Sequence, residues 1–226
     1  MATPLNVHEL DDVRDEPVDH PVKESSLSFR SGRVIDVRTD HVSLPGGGTA
    51  TRDVVVHPGA VGIVALDERE RVLLVQQYRH AVRRRLWEPP AGLLDEPGEE
   101  PLEAARRELF EETHHRASRW DVLVDGFTSP GMTDEAVRIY LARDIEVADE
   151  PRFEGEAEER DMELAWVPLD RAVAAVRAGR LHNPLAVMGL LAAATARADG
   201  FRSLRPSDAP WPEMSSWPGS RAAGPA

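Results

Sequence analysis

The sequence predicts an α+β fold, and three observations carry the prediction. The first half reads as strands, with apolar runs such as Val54–Val56, Ala60–Leu66 and Val72–Tyr78 separated by Pro58-Gly59 and by the charged stretch Asp67-Glu68-Arg69-Glu70. One helical pattern, residues 101–113, interrupts the strands mid-chain. Further strand patterns follow and two helical ones come last, so helices and strands are grouped rather than strictly alternating.

Taken in order, residues 1 to about 22 are polar and acidic without a period (Glu9, Asp11, Asp12, Asp15, Glu16) and predict a frayed arm. Two partly alternating runs follow, around Leu27–Arg30 and Arg33–Ser43, then a Gly46-Gly47-Gly48 turn and a strand pattern from Thr49 to His57. Residues 1–57 are thus expected to be an arm plus antiparallel strands, ahead of a main domain over 58–203 and a Pro- and Trp-containing tail over 204–226. Ala60–Leu66 and Val72–Tyr78, joined by Asp67-Glu68-Arg69-Glu70, predict a buried hairpin. Arg79 ends its second strand, and Arg83-Arg84-Arg85 fall in the loop beyond. The 101–113 helix would be about 20 Å long, with Pro101 suited to its first turn and Leu102, Ala105, Leu109 and Phe110 facing inward. Val122–Phe127, Ala136–Ala142 and Met162–Val167 read as strands, the last preceded by an acidic loop from Asp149 to Asp161. Leu169–Ala178 is a helix ended by Gly179. Asn183 caps another, with Pro184 at its first position. Trp211 and Trp217 are the residues able to pin the tail.

Composition narrows the function classes. There is no cysteine, which removes disulfides, thiolate metal sites and cysteine nucleophiles. Acidic residues outnumber basic ones 40 to 27, for a net charge of −13, which argues against nucleic acid or an anionic membrane as partner. No apolar run reaches membrane-spanning length and no secretory leader is present, so a cytoplasmic location is expected. An anionic small molecule remains a candidate partner if metal ions or arginines reverse the local field. Lys23 is the only lysine, so positive charge is almost wholly arginine, the better fork for phosphate.

The chemistry concentrates between Ala91 and Glu112. On a helix Glu108, Glu111 and Glu112 stand at i, i+3 and i+4, so three carboxylates share one face. Such stacking repels unless a cation sits among them, and a divalent metal is the natural one. A lone E-x-x-E-E is a weak signal, because many helices carry solvated acids. It gains force from the glycine loop before it, Glu99, and Arg107-Glu108.

Together these residues resemble the Nudix box, G-x5-E-x7-R-E-U-x-E-E-x-G-U, where U is a bulky apolar residue. Gly92 opens it, Glu99 is its first acid, and Arg107-Glu108-Leu109-x-Glu111-Glu112 is its centre. Two departures stand out: six residues rather than five separate Gly92 from Glu99, and His114-His115 replace the closing glycine and apolar residue. His114 must therefore take a left-handed backbone or end the helix differently. Outside the box, Gln76-Gln77-Tyr78-Arg79, Trp87-Glu88-Pro89-Pro90-Ala91-Gly92, Ser129 to Glu135 and Glu158-Glu159-Arg160-Asp161-Met162 resemble the ADP-ribose pyrophosphatase branch, its actinobacterial type most closely.

The resemblance implies an α/β/α sandwich with a mixed central sheet. It implies metal ligation by the Ala91 carbonyl, Glu108 and Glu112, with Glu111 joining when more than one ion binds. Mg²⁺ is the implied ion and Mn²⁺ the alternative. Arg107 would be structural, holding the loop or a Glu through a bidentate bond. Arg79 would hold the diphosphate or terminal ribose, or else be an edge-strand surface charge. Arg52 would reach the adenosine side across a dimer interface, or else be a sheet-edge charge. Glu88 and Glu135 would contact sugar hydroxyls or waters, or stabilise their loops. The general base would come from the loop Phe153 to Asp161, with Glu158 first and Glu159 second, against the plain reading of a solvated acidic loop. The implied reaction is attack of water on ADP-ribose, giving AMP and ribose 5-phosphate, in a homodimer whose N-terminal strands swap. The competing readings are a diphosphatase for GDP-mannose or NADH, and a noncatalytic module that senses ADP-ribose.

Overall fold

The computed structural model describes residues 21–30, 35–151 and 162–215. Strands β1 (Val22–Arg30), β2 (Asp36–Ser43) and β3 (Thr49–Val56) form a three-stranded antiparallel sheet in that order. Strands β4 (Ala60–Ala65), β5 (Arg71–Arg79), β6 (Arg84–Glu88), β7 (Ala91–Leu93), β8 (His115–Phe127), β9 (Ala136–Val147), β10 (Glu163–Pro168) and the short β11 (Arg205–Pro206) build the body. They divide into a mixed sheet, β11-β8-β9-β4-β7, and an antiparallel one, β10-β5-β6. Helices α1 (Pro101–Thr113), α2 (Leu169–Arg177) and α3 (Pro184–Arg197) complete it.

Strand β4 explains the layering. All six of its residues are buried, and alternate side chains serve opposite faces. Val61, Ile63 and Ala65 pack with Leu109 of α1, Trp120 and Tyr140. Val64 packs with Leu169 of α2, Leu190 of α3, Ile139 and Leu141. The result is a sheet between α1 on one side and α2 and α3 on the other, the α/β/α sandwich with a mixed central sheet. Helix α3 lies tight on this sheet: a Cβ on Gly189 would stand 2.8 Å from Val64 Cγ2.

The hairpin expected from Ala60–Leu66 and Val72–Tyr78 does not form. β4 pairs with β9 in parallel and with β7, whereas β5 pairs with β10 and β6. One bridge, Leu66↔Val72, marks where the chain crosses between sheets. A run buried on both faces carries no period that assigns its neighbours. The turn is held by Asp67, whose carboxylate accepts the Arg69 and Arg71 N–H groups and Arg71 Nε. Arg84 and Arg85, expected in a loop, begin β6.

The helix signals hold. Pro101 is the first residue of α1, Asn183 Oδ1 accepts the Ala186 N–H at 3.0 Å to cap α3, and His114 takes the left-handed backbone at φ 58°. The chain beyond α3 returns to the body. Arg138, 2 % exposed, forks onto Asp125, donates to the Ala209 and Pro210 carbonyls, and lies under the Trp211 ring. Trp217 lies outside the described residues. No described helix is long and apolar enough to cross a membrane.

Candidate active site

The site is built where the short strand β7 meets α1. β7 is held by β4, with Gly62 opposite Ala91 and Val61 opposite Gly92. Ile63 N–H also donates to the Pro90 carbonyl at 2.8 Å, so the loop carrying Ala91 is anchored to the central sheet on both sides. The one-residue-longer loop that follows turns at Gly98, φ 83°, and returns at Glu100 into α1.

The helix closes on that loop through two carboxylates. Glu112 Oε2 accepts the Ala91 N–H at 3.0 Å. Glu108 packs so closely over Gly92 that a Cβ there would lie 2.1 Å from Glu108 Oε1. Only glycine leaves that space, which is the physical reason for Gly92 at the head of the motif.

Arg107 supplies the cation among the acids. Its Nε and Nη2 fork onto Glu99 at 2.9 Å each, and Nη1 reaches Glu108 Oε1 at 2.7 Å and Glu111 Oε2 at 3.1 Å. The hydrogen bond from Arg107 holds the Glu99 carboxyl below the usual range, and the acids in turn raise the guanidinium well above its ordinary value. One guanidinium thus relieves the repulsion of the stacked face and pins the Glu99 loop to it.

Do these residues suit a divalent metal? The donors are hard carboxylate oxygens from a single helical turn beside a backbone loop, the ligand chemistry of Mg²⁺. Among the described residues no three such side chains already converge as a metal-binding group; Glu108 and Glu111 each turn one oxygen to Arg107, and Glu112 accepts the Ala91 N–H.

Arg79 and Glu88 stand next to this loop. Glu88 is 1 % exposed, and its carboxylate takes Arg79 Nη2 at 2.6 Å and Nε at 3.0 Å. Glu88 orients a half-exposed guanidinium, and Pro89-Pro90 link it directly to Ala91. Glu135 bonds Thr128 and lies 3.6 Å from His57 Nδ1, closing the loop before β9. Arg52 is exposed on β3 and donates to the Thr51 carbonyl. Among the described residues, no hydrogen bond or ion pair joins it to the other candidates. Glu158 and Glu159 lie outside the described residues.

One connection had no sequence signal. Asp134 accepts the His57 N–H at 2.9 Å and Arg38 Nη1 at 3.3 Å, and Val55 N–H donates to the Met132 carbonyl. The 128–135 loop therefore clips the N-terminal sheet to the body. The partners are up to 96 residues apart, and only the fold joins them.

Comparison with known proteins agrees with this geometry. An ADP-ribose pyrophosphatase of Mycobacterium tuberculosis is 46 % identical over 187 residues, 83 % of this chain and 89 % of its own length. An ADP-ribose pyrophosphatase of Bacillus subtilis is 38 % identical over 153 residues, 68 % of this chain and 81 % of its own. A solved structure described as an ADP compounds hydrolase superposes with a TM-score of 0.69 at 19 % identity, covering 83 % of this chain and 99 % of its own, and so speaks for the fold. Residues 56–186 match the NUDIX domain. With that match and the carboxylate helix folded against its glycine loop, the chain belongs to the Nudix hydrolase family.

Proposed function

We propose that this enzyme hydrolyses the diphosphate bond of ADP-ribose, releasing AMP and ribose 5-phosphate. The observation that carries the substrate is the likeness, across most of both chains, to proteins named for that activity. The closure of Glu108 and Glu112 on the Ala91-Gly92 loop supports the chemistry.

Glu108, Glu111, Glu112 and the Ala91 carbonyl are the residues that would hold the metal. We take Mg²⁺ as the ion and Mn²⁺ as its substitute. A metal bound there neutralises diphosphate charge and acidifies a coordinated water. The remaining work falls to the chain itself. Arg79, pre-oriented by Glu88, offers N–H donors to a phosphate oxygen as charge develops on it. Glu158, with Glu159 as second choice, takes the proton from the attacking water. Glu135 borders the sugar, Glu88 acts by holding Arg79, and Arg52 serves the adenosine side from a partner copy in a homodimer. We place the enzyme in the cytoplasm, acting on a small molecule.

Purified protein with Mg²⁺ should release AMP from ADP-ribose faster than the corresponding monophosphates from GDP-mannose and NADH. Glu112→Gln should lower kcat/KM by about 10²-fold or more, together with metal affinity. Glu158→Gln should lower kcat by a similar factor while metal binding stays. Binding of ADP-ribose without AMP release would favour the sensor reading. Full activity of Glu158→Gln would remove that residue from the mechanism.

A further inference from the structure

Away from the carboxylate helix, a groove of about 380 Å³ runs along β6, an edge strand of its sheet. Arg83, Arg84, Arg85 and Trp87 line one side, and Arg180 and His182, from the connection between α2 and α3, line the other. Two segments about a hundred residues apart thus bring Arg83, Arg85, Arg180 and His182 to one concavity.

Among the described residues these charges have little compensation. Arg85 meets Glu163 at 3.7 Å, with both side chains more than half exposed, a pairing worth little in water. Among the described residues, Arg83 and Arg180 have no ion-pair partner. In a chain of net charge −13 the groove is a local reversal of sign. Cross-strand register sets Arg84 directly opposite Arg79, so its side chain stands on the Arg79 face of the sheet, while Arg85 and Trp87 stand on the other, which keeps the groove apart from Arg79.

Two further features point the same way. Arg83 is held in the left-handed region, φ 51° and ψ 45°, an uncommon backbone for a long side chain, and such strain gathers at ligand clamps. The groove also borders the start of α3, capped at Asn183 with Pro184 next, where the helix dipole favours negative charge. Trp87 contributes an apolar wall.

We propose that this groove binds a small phosphorylated anion of nucleotide size, at a site separate from the diphosphate site around Arg79 and α1. Guanidinium forks match phosphate oxygens in pairs, and the volume suits one compact guest rather than a polymer.

The test is calorimetric titration of the full chain with inorganic pyrophosphate, tripolyphosphate and AMP at fixed ionic strength. The double variant Arg85→Gln/Arg180→Gln should weaken binding at least tenfold, with kcat/KM for ADP-ribose within twofold of wild type. Arg85→Lys/Arg180→Lys should recover part of the affinity, since it keeps charge and loses the fork. Tighter binding of AMP than of pyrophosphate would assign Trp87 to the base, and equal binding would assign the site to phosphate alone; both sustain it. Equal affinity in wild type and the Gln double variant would overturn the proposal. So would a loss confined to Arg79→Gln, or preference for an RNA oligomer over every small anion. Should the double variant melt early, Arg180→Gln alone, beyond the end of α2, gives the same reading.

Discussion

At the scale of single residues, Gly92 carries a clear constraint. A methyl there would stand 2.1 Å from Glu108 Oε1 and 2.2 Å from its Cγ. Swinging the carboxylate tip cannot relieve a clash with Cγ, so either the loop or α1 must shift. Overpacking of this kind costs about 1–3 kcal/mol, and displacing a catalytic group by ~1 Å can cost about 10²-fold in rate. Gly92→Ala should therefore lower both Tm and kcat/KM, measured by thermal melting and by AMP release. Unchanged activity would mean that the Glu108 position is not set by this contact. The comparison with Glu88 is instructive. That carboxylate was legible as a candidate, but its bidentate hold on Arg79 was not, because two residues nine apart reveal a shared sheet face only once the register is known.

At the scale of elements, the N-terminal sheet depends on a buried charge. Asp40 of β2 is 4 % exposed, and it accepts Ser25 Oγ from β1 at 2.5 Å and Arg38 Nε at 2.9 Å. Burial pushes its carboxyl up, but the Ser25 and Arg38 hydrogen bonds outweigh that, and the pKa falls below the ordinary 3.8. A carboxyl depressed on folding stabilises the fold fully above its unfolded value and stops doing so as pH falls through the folded one. Wild-type melting should therefore drop as pH goes below 3.8, whereas Asp40→Asn should be less stable at neutral pH and less steep in acid. Parallel curves for the two would remove Asp40 as the cause. How far such elements could be read in advance varied with the signal. α1 was read to the residue, because Pro101 fixes its start and the apolar spacing its length. β4 and β5 were read as strands but mispaired, since a continuous apolar run says "buried" without saying beside what. The carboxylate face followed from helical periodicity alone. Its neutralisation by Arg107 Nη1 required side-chain geometry.

At the scale of the whole molecule, the N-terminal sheet is unlike the rest. It meets the body through the 128–135 clip, at Val55, His57 and Arg38, while Leu27 and Phe29 are 50 % and 57 % exposed. Exposed apolar side chains on a sheet that contributes little to the central core fit the proposed homodimer. Charge sharpens the expectation: each chain carries −13, so pairing two copies is opposed electrostatically and must rest on apolar contact. Light scattering coupled to size exclusion should give twice 25.0 kDa. Association should hold or tighten as salt rises, because added salt screens the repulsion and leaves the apolar term in place. Leu27→Asp/Phe29→Asp should give monomer. If Arg52 serves a partner's adenosine pocket, that monomer should show a raised KM for ADP-ribose, with a smaller change in KM for a substrate lacking adenosine. A monomeric wild type would sink the dimer, and an active monomer with unchanged KM would return Arg52 to the role of a sheet-edge charge.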